Sequence, residues 1–263
     1  MATDAPNNSE VASGAKPDEQ PKSGAPTAPN MKLLVGLTVL AFATRLAWVL
    51  WVHPPSQYVY SDMGGYVSRA TDLVKNGFVP GTRHLAWQAW GTHHILAGCL
   101  KLFGLKNLTS AGVLWGLMGA AAVPASYLLA CRTLPKRWMA TTAGLLAFFW
   151  HPNLVTTGFF TSETPFLCFA LWSTWFLVRT MQDGRGAIAG GVLGAISFAI
   201  RPQSALFFTF LFGLWLLIRK RPENRAKVRH IVGISVPLLA MLCFSLWRFH
   251  AHTGYWGGIA EAA

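Results

Sequence analysis

The chain has 263 residues, of which 52% are hydrophobic and only 12% charged, with a mean hydropathy of +0.37. Soluble domains carry about twice that share of charge, so an ordinary soluble domain is excluded, and twelve Trp with seventeen Phe suit a protein solvated by lipid. The net charge of +12 sits at the ends of apolar stretches, which points to topology control and anionic lipid headgroups and away from nucleic acid.

Residues 1–30 are rich in Pro, Ser, Ala, Gly and Asn and predict a disordered tail. The tail lacks the charged-then-apolar pattern of a signal peptide, so the first span is expected to remain as an uncleaved anchor. Residues 31–263 read as an all-α polytopic membrane domain with about seven transmembrane helices. The first span is 31–52, roughly 33 Å of helix and enough to cross. A long amphipathic section follows, in which 65–76 and 87–104 read as helices, interfacial in the first external loop. Further spans fall at 109–131, 138–150, 159–180, 187–200, 203–218 and 230–249. The third, fifth and sixth are short for a crossing and end near Pro152, Pro165 and Pro202, which suggests a cavity opening to the external side. Gly112 and Gly116, and Gly186, Gly190 and Gly194, form small-residue stripes that permit close helix packing.

Basic loops set the orientation. Arg132, Lys136 and Arg137, with Arg179, Arg185 and the run from Arg219 to Arg229, gather on one side, cytoplasmic by the positive-inside rule. The N-terminus is then cytoplasmic, and Asp62, His151, Glu163, Arg201 and Arg248 share the external face. The cysteines (Cys99, Cys131, Cys168, Cys243) lie in apolar stretches without CxxC spacing and read as packing residues.

Acids are scarce: ten Asp and Glu, four of them in the tail. Asp62, followed by Gly64-Gly65, reads either as a general base for an acceptor hydroxyl or as the N-cap of the next helix. Asp72 reads as a solvated residue paired with Arg69 or Lys75. Glu163 opens the fourth span, as a positioning or metal-adjacent carboxylate or as a charge complementing the helix dipole. Arg45, Arg201 and Arg248 are candidates to hold a lipid-linked phosphate through bidentate contacts, with snorkelling to the interface as the alternative. His93-His94 has no matching ligand set, so no metal ligands are assigned. No cofactor is assigned, and a divalent metal is compatible with these residues.

Taken together, Arg45…Ser61-Asp62-Met63…Tyr66 resembles the opening of GT-C glycosyltransferases, which include the protein mannosyltransferases and the lipid A aminoarabinose transferases. Trp90-Gly91-Thr92-His93-His94 through Lys101-Leu102-Phe103-Gly104 is similar to the helix after their catalytic loop. Ser162-Glu163-Thr164-Pro165, Arg201-Pro202 and Trp247-Arg248…Thr253-Gly254 resemble later elements in the same order. The resemblance covers about residues 33–258. It departs where relatives carry Pro-Gly in place of Trp90-Gly91 and Asn in place of Phe249. Relatives also continue through further spans, so the chain is expected to be incomplete at its C-terminus.

The resemblance implies a polyprenyl-phosphate-linked sugar donor, an acceptor of unknown class, and Asp62 as the base on the external face. Glu163, Arg201, Arg248, Arg45 and Tyr66 would be substrate-binding. A bacterial inner membrane follows by analogy. Two other readings stand beside it: a non-catalytic module that binds or moves polyprenyl-linked substrates, and a transporter, which the lack of an internal repeat disfavours.

Overall fold

A computed structural model describes residues 27–86, 89–204 and 224–256, and these form helices and connecting turns with no strand among them. The helices are α1 (Met31–Ala47), α2 (Ser61–Asn76), α3 (Gly91–Phe103), α4 (Leu108–Thr133), α5 (Arg137–Phe149), α6 (His151–Thr156), α7 (Glu163–Asp183), α8 (Ala187–Ile200) and α9 (Asn224–Thr253). Residues 1–26 of the expected tail, nearly all of the expected span 203–218, and residues 219–223 at the start of the basic run lie outside the described residues.

Three apolar stretches are long enough to cross a membrane: Met31–Gln57, Leu108–Thr133 and Val228–Thr253. Of the seven crossings expected, these three meet the requirement among the described residues. At 13 and 14 residues, α5 and α8 fall short of the about 20 residues that a bilayer demands. The longer α7 has 21 residues, but Glu163, Arg179, Gln182 and Asp183 dilute its hydropathy.

The buried axis of the bundle is α4. It packs against α1 and α5 on one side and against α7 on the other, with α8 lying between α7 and α9. One apolar cluster (Leu37, Ala41, Val123, Tyr127, Ala140) joins α1, α4 and α5. A second (Met63, Tyr66, Leu96, Leu100, Trp115, Phe160) ties the amphipathic α2 and α3 to α4. Close approach depends on the absence of side chains, as the glycine stripe predicts. A Cβ on Gly116 would lie 3.3 Å from Val49, and one on Gly119 would lie 2.0 Å from Thr157.

Pro124 interrupts the α4 hydrogen-bond ladder. The N–H that Ala120 O would accept from is the one that Pro124 lacks, and the carbonyls on either side of Ala120 each take a side-chain donor: Asn153 Nδ2 donates to Gly119 O at 3.2 Å, and Trp172 Nε1 to Ala121 O at 3.1 Å.

Several boundaries differ from expectation, among them the start of α7 at Glu163 and not at 159, and the extent of α9, Asn224–Thr253 and not 230–249. The short α6 occupies residues expected to be a loop, because Pro152 at its first turn favours helix initiation. The start of α2 lies at Ser61 and not at 65, since burial of Met63 and Tyr66 outweighs the glycine pair.

Candidate active site

The chain enters α2 through Ser61, whose φ of 49° is the left-handed conformation that non-glycine residues seldom adopt. The cap position is held by Tyr60, so Asp62 is not the N-cap; it occupies the first turn with its side chain exposed. Four residues on, Tyr66 lies on the same helical face. Ser162 holds the N-cap position of α7 without a side-chain cap bond, and Glu163 is the helix's first residue. Arg201 ends α8 in an extended conformation, as the following Pro202 demands.

These pieces converge on one cavity of about 1100 Å³. Asp62, Tyr66, Ser162, Glu163 and Arg201 line one end. Phe166, Ala170, Leu171 and Thr174 continue the wall along α7. From Glu163 to Thr174 the helix rises roughly 16 Å. The cavity therefore has a charged mouth and a long, mostly apolar trough.

At the mouth, Arg201 Nη2 is paired with Glu163 Oε1, Arg201 Nε donates to Ser162 Oγ at 3.0 Å, and the guanidinium lies 5.7 Å from the Phe166 ring centroid. Both partners keep solvent access, with side chains 39% and 46% exposed. Among the described residues, no hydrogen bond or ion pair ties down the Asp62 carboxylate. Burial pushes the Tyr66 phenol above its ordinary value, while the Ser162 hydroxyl and the Arg69 cation pull the other way. Burial likewise lowers Arg69, and Tyr66 and Asp62 partly restore it.

Sequence reasoning missed Arg69. Its guanidinium lies 5.2 Å from the Tyr66 ring centroid and packs over Gly65, where a Cβ would come within 3.1 Å of it. The signal was the spacing of Asp62, Tyr66 and Arg69, which puts all three on one helical face. Asp72, expected to pair with Arg69 or Lys75, has a partner that the sequence did not suggest: its Oδ2 pairs with His84 Nε2 at 3.1 Å, contributed by the loop after α2.

The other two arginines do not line this cavity. Arg45, 1% exposed, donates from Nη2 to Phe148 O at 2.8 Å and from Nη1 to Thr44 Oγ1 at 3.1 Å. It thereby satisfies a carbonyl at the end of α5, where helix ends leave acceptors open. Arg248, 3% exposed, donates from Nη2 to Leu85 O at 2.6 Å and lies 3.3 Å from His93 Nε2. A guanidinium can only donate, so His93 Nε2 accepts and the proton sits on Nδ1. Burial drives His93 down to about 2, with His94, Arg248, Arg69 and His252 adding to the effect. His94, whose Nδ1 meets Trp90 O at 2.9 Å, is lowered to about 4, mainly by burial. Among the described residues, no group of three or more His, Cys, Asp or Glu side chains is placed to hold a metal ion.

A family model described as dolichyl-phosphate-mannose-protein mannosyltransferase matches residues 88–248, more than half of the chain. The matched segment includes His93, Glu163, Arg201 and Arg248, whereas Asp62 and Tyr66 precede it. No curated protein and no solved structure matches the chain.

Proposed function

Because the chain belongs to the dolichyl-phosphate-mannose-protein mannosyltransferase family, a family of membrane glycosyltransferases, we propose that it transfers a sugar from a polyprenyl-phosphate donor to an acceptor hydroxyl. The observation that carries this reading is the shape of the cavity: a charged mouth continuous with an apolar trough along α7. A lipid phosphate has the same division. Its phosphate suits Arg201, and its hydrocarbon chain suits Phe166, Ala170 and Leu171.

In this reading Asp62 is the base. Its carboxylate accepts the proton of the acceptor hydroxyl, and the oxygen attacks the anomeric carbon from the face opposite the phosphate. The bond between that carbon and the phosphate oxygen breaks, polyprenyl phosphate departs with the electron pair, and the anomeric configuration inverts. An exposed carboxylate with no hydrogen bond or ion pair among the described residues is free to meet an acceptor arriving from solvent. Arg201 stabilises the charge that develops on the leaving phosphate. Glu163 and Ser162 hold the guanidinium in place before the donor arrives. The Tyr66 phenol, kept neutral by burial, offers a hydrogen bond to the sugar or acceptor.

The remaining placement belongs to the same proposal. The chain crosses the membrane about seven times, its N-terminus is cytoplasmic, and the mouth of the cavity opens on the external face. The basic residues at the other ends of the helices support this orientation.

The test is incubation of membranes containing the chain with a panel of polyprenyl-phosphate sugars. The expected result is consumption of at least one donor, with a product of inverted anomeric configuration. Absence of donor binding across the panel would overturn the reading.

A further inference from the structure

We propose that Arg248 is a positioning residue: from within α9 it clamps the loop between α2 and α3, and through that loop it fixes the end of α8 that carries Arg201. The inference rests on the glycosyltransferase reading only in what the loop serves, since the clamp itself is a matter of geometry.

Five contacts along the last three turns of α9 hold Phe78, Gly81, Leu85 and Trp90. Arg248 Nη2 donates to Leu85 O at 2.6 Å, and Gly81 N–H donates to Ala251 O at 3.0 Å. Trp90 Nε1 donates to Ser245 Oγ at 2.9 Å. The Phe78 ring stacks on Trp247 with centroids 5.4 Å apart and meets His252 at 4.7 Å. A 3-10 turn at Arg83–Leu85 presents the Leu85 carbonyl to the arginine.

The loop then delivers Gly91 onto α8. A Cβ there would fall 2.7 Å from Ala199 C and 2.7 Å from Ile200 N, so the two backbones are in direct contact. The residue that follows α8 is the cavity arginine. Ala89, one residue before the Trp90 anchor, lines the cavity itself. Two anchors on α9, Arg248 on Leu85 O and Ser245 on Trp90, therefore flank the start of α3, and Gly91 there packs on Ile200 beside Arg201.

Direct binding of donor phosphate by Arg248 fits the structure less well. The side chain is 3% exposed, it does not line the cavity, and its Nη2 already serves Leu85 O with His93 Nε2 close by. A buried charge with hydrogen bonds to fixed acceptors is well suited to holding backbone in register.

Two measurements test the proposal. The first is hydrogen exchange of the full chain in membranes or micelles. Arg248→Gln should deprotect residues 78–86 while leaving α4 and α7 protected, and Arg248→Lys should restore part of that protection. An unchanged loop would overturn the clamp whatever the chain catalyses. The second is a double-mutant cycle on transfer activity. Misplacement of a binding group by about 1 Å can lower kcat/KM about 10²-fold, and Arg248→Gln should produce a loss up to that size. In an Arg201→Gln background the same change should cost less than about twofold more, because coupled residues are not additive. Full additivity would mean that Arg248 acts independently of Arg201, and would overturn the proposal. Should Arg248→Gln fail to fold, Ser245→Ala, which removes the Trp90 bond, and Gly91→Ala, which presses on the end of α8, carry the same cycle. If no activity is found in any form, the glycosyltransferase reading fails, and the exchange measurement still decides the clamp.

Discussion

Arg201 and Arg248 are both arginines near one end of the bundle, and their surroundings give them opposite work. Arg201 stands at the mouth of a large cavity, 39% exposed and paired with a carboxylate. Arg248 is buried beneath a loop, facing a backbone carbonyl and a neutral histidine. A charge that keeps solvent access can exchange its partner for an incoming phosphate. A buried one with fixed acceptors cannot do so without leaving Leu85 O unsatisfied. Residue type is the same in both places, and solvent access is what separates them.

The largest expected effect that sharpens this contrast is Arg201→Gln. Removing one group that stabilises developing charge usually lowers kcat about 10²–10³-fold, and transfer assays on membranes should show a loss of that order with the fold intact. A loss no greater than that of Glu163→Gln would remove Arg201 from the phosphate site. Next comes Ala170→Trp, which fills the trough below the mouth. Burial of hydrocarbon is worth about 0.8 kcal/mol per CH₂, so excluding a few isoprenoid carbons should raise the KM of a long-chain donor at least about tenfold. A short-chain donor should be much less affected, and equal effects on both would break the assignment of the trough.

The buried side of the comparison predicts acid sensitivity. His94 and His93 are held at about 4 and about 2, against the ordinary 6.5 that the unfolded chain recovers. Below pH 6.5 the unfolded state binds more protons than the folded state, so stability falls with acidification. The His94 contribution is exhausted near pH 4, and that of His93 continues toward pH 2. Each proton adds at most about 1.4 kcal/mol per pH unit to the slope. Thermal unfolding in micelles between pH 7 and 4.5 should show this slope, and His94→Gln should flatten it. The smallest effect is on stability in Glu163→Gln, because a half-exposed ion pair contributes about 0–1 kcal/mol. The same change should weaken donor binding by loosening Arg201, and an unaltered donor KM would argue against that role.

Much of the helical layout was legible because apolar runs here are bounded by charges, Gly or Pro. The bounds of α8 follow from Gly186 and Arg201-Pro202, and those of α1 and α4 fall close to the ends of their apolar runs. The start of α2 was obscured by Gly64-Gly65, whose helical state depends on tertiary burial of Met63 and Tyr66. The cavity end is less local still. Asp62, Glu163 and Arg201 were recognisable as rare charges on one expected face, and the structure brings them to one wall with Tyr66. The fates of Arg45 and Arg248 were hidden. Each finds a backbone carbonyl 103 or 163 residues away in sequence, and no spacing rule reports such a partner. Arg69 could have been found, since helical spacing alone puts it beside Tyr66.

The account turns on Asp62 as the base in a cavity that binds the donor elsewhere. The most direct measurement compares wild type and Asp62→Asn on the same membranes, recording donor affinity and single-turnover rate together. A lost general base typically lowers the rate about 10²–10⁴-fold, and the account predicts that loss with donor affinity unchanged. Turnover that survives the substitution would contradict it.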